Sequence, residues 1–272
     1  MHQSMMSMMV LAFHSCPFGE SFSETNKKTT PTPPSKSLIK NIRLLTSVSL
    51  DKMKAFYSGK LGLQLIHETK SEIHFQAGNS SLTFVKIQSQ DSPWYHFAFN
   101  IPENKLRLAL QWQANKTAII PTPLRARDAK YPEKVRHFPH WNAHSIFFYD
   151  PAGNLLEYIA RHDLKNAQKG AFSSKDLLNI SEIAFVVDDQ HETAKLFHQE
   201  LGLDVYPKGQ TRWWAMGDEN GLLLAIPKRI WGENTAQPKR FKIYKTEATI
   251  YGSKPLQIQV KGYPYEVFQI ER

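Results

Sequence analysis

A histidine, a glutamate and an arginine hold the same place in three copies of one short pattern. The pattern is a polar residue, an apolar one, Ala-Phe, any residue, then an aliphatic one. It reads Tyr95-His96-Phe97-Ala98-Phe99-Asn100-Ile101 and Ser181-Glu182-Ile183-Ala184-Phe185-Val186-Val187, with a looser copy in Arg43-Leu44-Leu45-Thr46-Ser47-Val48. His96 and Glu182 are of the types that bind divalent metals. Arg43 carries a guanidinium whose donors can grip a carboxylate, phosphate or enolate at two points. His137, His140 and Trp141 lie together in the irregular stretch 117–141, where imidazole and indole groups suit a pocket wall or lid. Each residue also has a purely structural reading. Arg43 can be an exposed strand-start arginine, and Glu182 a solvated residue at a sheet edge.

The elements that must position these groups recur with them. Leu38 to Val48 reads as a strand, and Leu50 to Lys60 as a helix stopped at Gly62. Short strands follow at Leu63–Ile66, Ile73–Gln76 and Leu82–Ile87. The order restarts at Tyr95–Ile101, with a helix over Glu103–Ala114 and strands at Ala143–Tyr149 and Leu155–Ala160. It restarts again at Leu178, with helix Gln190–Leu201 and strands reaching Ile226. Phe241 to Ile270 has strand-like stretches without a helix and reads as an incomplete fourth unit.

Composition narrows the function classes. The chain has 272 residues, one cysteine and a formal charge of +9. One cysteine excludes a disulfide framework and a cysteine-cluster zinc site. The positive balance favours an anionic partner. No dense basic run interleaved with aromatics is present, so nucleic acid is not expected, and no apolar run is long enough to span a membrane. No serine elbow, phosphate-binding glycine loop or dinucleotide fingerprint is present. Residues 1–37 are rich in Thr, Ser and Pro and read as a disordered leader. Their apolar start lacks the basic residues of an export signal, so a cytoplasmic location is expected.

Three motifs together resemble the vicinal oxygen chelate superfamily of glyoxalases, extradiol dioxygenases, and fosfomycin- and bleomycin-resistance proteins. They are Ala55-Phe56-Tyr57 with Leu61-Gly62-Leu63, Asp150-Pro151-Ala152-Gly153-Asn154-Leu155-Leu156-Glu157-Tyr158, and Ile180 to Asp189. The resemblance implies an α+β fold of paired βαβββ units whose mixed sheets curl into cups, the second pair here being degenerate. It implies one glyoxalase-like domain at 38–162, a linker at 163–175, and a second domain at 176–272.

In that family a divalent metal (Fe, Mn, Ni or Zn) sits in a cup on residues from the first and last strands of each unit. Carried over, these positions are Arg43 and Leu82 in unit one, His96 and Glu157 in unit two, and Glu182 and Leu224 in unit three. A first cup built from units one and two then offers His96 and Glu157 as metal ligands. His144 is the expected third ligand or acid/base, and Arg43 positions an anionic small molecule or pairs with Glu157. His140 and Trp141 would flank that molecule. Two function classes follow: a metal-dependent lyase or dioxygenase, and a metal-free small-molecule binding or resistance protein. A structural interaction module is the third. A homodimer is compatible with each.

Overall fold

In the computed structural model, which describes residues 38–207, 214–231 and 239–272, each copy of the sequence pattern is the first strand of a unit. Unit one is β1 (Ile39–Thr46), α1 (Leu50–Lys54), β2 (Gln64–Glu68), β3 (Glu72–Ala77) and β4 (Ser80–Lys86). Unit two is β5 (His96–Ile101), α2 (Leu106–Ala114), β6 (Arg136–Phe138), β7 (Ala143–Tyr149) and β8 (Leu155–Arg161). Unit three is β9 (Asn179–Val187), α3 (Gln190–Leu201), β10 (Val205–Tyr206), β11 (Trp214–Asp218) and β12 (Gly221–Pro227). A small ribbon, β13 (Ile230–Trp231) with β14 (Lys239–Arg240), precedes β15 (Thr246–Tyr251), β16 (Leu256–Gln259) and β17 (Tyr265–Ile270). The fourth unit has no helix among its described residues. The expected leader lies outside the described residues.

Helix punctuation follows the local chemistry. The Asp189 carboxylate accepts the Glu192 backbone N–H at 3.0 Å and starts α3, and Gly202 ends it at φ +67°. After α1 the chain widens through Ala55–Lys60, where the Leu61 N–H reaches the Phe56 carbonyl five residues back. Gly62, at φ +70°, then reverses the chain.

The strands form two large mixed sheets. Sheet one runs β16-β17-β15-β1-β4-β3-β2, and sheet two runs β10-β11-β12-β9-β5-β8-β7-β6. Hydrogen bonding therefore joins unit one to unit four, through β1 and β15, and unit two to unit three, through β5 and β9. The expected cup from units one and two is corrected by this order, because the sheets pair across the 38–162 and 176–272 division. All first strands carry similar patterns, so the sequence does not say which one meets which.

The main core lies between the backs of the sheets. Ile42, Leu44, Phe75 and Phe84 of sheet one share it with Phe97, Phe99, Phe148, Tyr158 and Phe185 of sheet two. Strands β5, β8 and β9 are buried on both faces, which explains their nearly unbroken apolar sequences. A buried polar knot ties unit one to this core. The Asp150 carboxylate accepts the Tyr57 hydroxyl at 2.7 Å and the Asn154 backbone and side-chain N–H groups, each at 2.8 Å. Tyr57→Phe is expected to cost about 1.5–3 kcal/mol in urea denaturation, since it takes one donor from a buried carboxylate.

Candidate functional site

The second sheet builds a site from three strands that lie side by side. Along β5, His96, Ala98 and Asn100 turn away from the core, because Phe97, Phe99 and Ile101 alternate with them into it. Glu157 on β8 and Glu182 on β9 both stand in register with Ala98, from opposite sides of β5. His96, Glu157 and Glu182 are thereby brought together, with ligand atoms within 4.8 Å of one another, and all three are buried. Leu224 occupies the fourth position, beside Ala184, and adds a methyl wall instead of a ligand.

The hydrogen bonds fix which atoms face the centre. His96 Nδ1 lies 2.9 Å from the Leu155 carbonyl, which can only accept, so Nδ1 carries the ring proton. Burial pushes the His96 pKa down to about 4, so the ring is neutral at pH 7 and Nε2 is a lone pair. Nε2 faces Glu157 Oε2 at 3.6 Å. Two acceptors that close need a cation or a proton between them. Burial raises the Glu157 pKa well above the usual carboxylate range, and the neighbouring Glu182 raises it further. Burial also raises Glu182, against the pull of Arg161. Glu157 Oε1 is buried without a hydrogen-bond partner of good geometry.

Two arginines complete the cup. Arg161 follows Glu157 on the same face of β8, four residues on, and is fully buried. It forms a short ion pair with Glu182, and its guanidinium lies over Trp141 at 5.1 Å and Tyr206 at 5.8 Å. Arg136 on β6 lies over Phe138 and Phe147, and its charge acts on Glu157. Beside His96 a small cleft opens to solvent, lined by Trp94, Val186, Phe241, Lys242 and Tyr244 among others.

The other expected site residues lie elsewhere. Arg43 is on sheet one, ion-paired with Glu72 at 2.6 Å and facing Glu247 at 3.7 Å, so it neither pairs with Glu157 nor reaches the cup. Leu82 is buried in the main core, because it stands beside the core-facing Ile42, whereas Glu157 stands beside Ala98, which faces the cup. His144 is on the opposite face of β7 from Ser145, bonded to Asp128 and His162. Trp141 reaches the cup through Arg161, whereas His140 is exposed. Glu182, read from sequence as solvated, is buried, and Arg136 and Arg161 escaped notice. The spacing Glu157, Ile159, Arg161 along one strand face carried the signal for Arg161.

The donor set suits a divalent ion. One neutral imidazole with its second nitrogen held by a carbonyl, and two carboxylates, match a three-ligand metal centre with open positions. Arg161 competes with an ion for Glu182.

Residues 42–158 match the sequence model of the Glyoxalase/Bleomycin resistance protein/Dioxygenase superfamily. No curated protein matches the chain. Among solved structures, a Bacillus subtilis protein named "putative dioxygenase" is 13% identical with a TM-score of 0.55, over 86% of both chains. Glyoxalase I from Zea mays is 13% identical with a TM-score of 0.51, over 87% of this chain and 93% of its own. At such identity the likeness is one of fold. Residues 42–158 thus match the glyoxalase/bleomycin resistance protein/dioxygenase superfamily in sequence, and the chain has the fold of glyoxalase I.

Proposed function

We propose that this chain is a metal-dependent small-molecule enzyme of the glyoxalase/dioxygenase kind. His96, Glu157 and Glu182 would hold one divalent ion in the cup of the second sheet. The observation that carries this is the pair of acceptors, His96 Nε2 and Glu157 Oε2, facing each other at 3.6 Å with a second carboxylate alongside. When bound, the ion supplies Lewis-acid polarisation of substrate oxygens.

The remaining work falls to the chain's own groups. Glu157 and Glu182 are matched by Arg136 and Arg161 before any ion enters, and Arg229 adds positive charge near His96. A divalent ion leaves the cup positive, so a small anionic substrate with adjacent oxygens restores the balance. Arg161, once off Glu182, can hold that anion at two points. Trp94 and Phe241, stacked at 4.8 Å, wall the route from solvent to His96. All three ligands come from one chain, so the chemistry does not require a second copy. Among the described residues no helix is long and apolar enough to cross a membrane.

One observation favours a second reading, a metal-free anion binder: Arg161 already neutralises Glu182. Equilibrium dialysis separates the two. After chelation, the protein is exposed to Mn(II), Fe(II), Ni(II) or Zn(II) in turn. His96→Ala and Glu182→Gln are each expected to lose one equivalent of ion relative to wild type. Equal ion content in all three proteins would leave the binder as the better account.

A further inference from the structure

A second set of metal-type donors lies on the other face of the same sheet edge, outside the cup. His137 stands directly opposite His144 in the β6–β7 pair, with the rings stacked at 4.4 Å and 7°. Opposed residues of an antiparallel pair have Cβ atoms about 4.5–5.5 Å apart, a spacing from which two imidazoles can share one ion. Asp128, from the irregular stretch before β6, brings Oδ2 to 3.1 Å from His144 Nε2. The ligand atoms of Asp128, His137 and His144 all lie within 4.8 Å of one another. His144 is buried, while Asp128 and His137 are half-buried and within reach of solvent.

The groups behind His144 are arranged as a ligand's supports. Its Nδ1 lies 2.9 Å from His162 Nε2, and His162 Nδ1 lies 3.1 Å from Glu103 Oε2. The Tyr131 ring, stacked at 4.0 Å, fixes the imidazole plane. Counting protons shows what this chain of groups lacks. As carboxylates, Asp128 and Glu103 only accept, so His144 Nε2 and His162 Nδ1 must each donate. The two nitrogens facing each other at 2.9 Å then need a third proton, which makes one ring an imidazolium. With an ion on His144 Nε2, two protons suffice. His144 Nδ1–H donates to His162 Nε2, and His162 Nδ1–H donates to Glu103. Every bond in the chain is then satisfied with both rings neutral. Ligating histidines are supported through their second nitrogen in this manner.

We propose that Asp128, His137 and His144 form a second divalent-metal site, with His162 and Glu103 orienting His144 from behind. Two imidazoles and one carboxylate select a zinc-type ion (Zn, Co or Ni) over Mg or Ca, and leave a fourth position for water. The ion clamps the 117–141 stretch to the sheet. Along β6, His137 faces this site while Arg136 and Phe138 face the cup. The clamp therefore holds the strand that delivers Arg136 to Glu157. Its role is positional, and it stands independently of the cup's own ion.

The test uses the full chain carrying His96→Ala and Glu157→Gln, which silences the cup. After chelation it is titrated with Co(II), read by visible absorption, and with Zn(II), read by calorimetry. One equivalent is expected, with tetrahedral Co(II) bands. Adding His137→Gln should lower affinity at least about a hundredfold, and His162→Gln about 10–100-fold, as for supporting groups at other metal sites. Circular dichroism verifies that each variant is folded. Asp128→Asn, half-buried and off the strands, provides a second ligand variant least able to disturb folding. No ion bound by the cup-silenced protein would overturn the proposal. So would an affinity unchanged within twofold by both His137→Gln and Asp128→Asn.

Discussion

Arg161→Met is expected to destabilise the chelated protein by about 3–5 kcal/mol, because it strands Glu182 in the interior beside a second carboxylate. The guanidinium is fully buried, and its ion pair with Glu182 is the main opposition to the burial that raises that carboxyl's pKa. Urea denaturation in chelator measures the loss. Removing both partners, with Arg161→Met and Glu182→Leu together, should return stability to within about 1 kcal/mol of wild type, since the charge and its need both disappear. Adding Mn(II) to the single variant should recover stability, by about 2.7 kcal/mol at a hundredfold excess over Kd. The double variant, whose cup has lost one of its three ligands, should gain less from Mn(II) than the single variant. A single variant as stable as wild type in chelator would show that Glu182 is already protonated and that the pair contributes little.

Acid is expected to act on the same cup through His96. Its pKa is pushed down to about 4 in the folded chain, against about 6.5 when unfolded. Between these values the unfolded chain binds the extra proton, so stability is intact above about pH 6.5 and is lost as pH falls toward 4. The span corresponds to about 3 kcal/mol for full protonation. Glu157 and Glu182 act in the opposite sense, because their raised pKa values make protonation stabilising as pH falls. The difference between wild type and His96→Gln isolates the histidine. In chelator, wild type should lose about 3 kcal/mol relative to the variant across that window. A flat difference would show that the ring titrates normally and is not held neutral in the cup.

Much of the fold could be read from the chain, and the reasons are local. The pattern written three times, at Arg43, His96 and Glu182, marked the first strands, and Gly62 and Gly202 marked the helix ends. The Asp150–Asn154 turn was legible because its side chains bond to their own backbone and to Tyr57. The partnering of units was not legible. Arg43, His96 and Glu182 all begin similar strands, and only long-range pairing of β5 with β9 and β1 with β15 decides the company each keeps. That one uncertainty displaced part of the site. It put Arg43 in the wrong cup and left Glu182 in solvent. His144 was misplaced for another reason: its strand does neighbour that of Glu157, but His144 faces the other way. Arg136 and Arg161 stayed hidden because a buried arginine looks like any other in sequence until its carboxylate is found.

The most direct test of the cup is a crystal grown with Mn(II), with anomalous scattering recorded at the manganese edge. A peak in the cup about 2.0–2.2 Å from His96 Nε2 and from oxygens of Glu157 and Glu182, with Arg161 turned away from Glu182, is the expected result. No peak among these three residues, with Arg161 still paired to Glu182, would contradict the metal-dependent account and leave an anion-binding cup in its place.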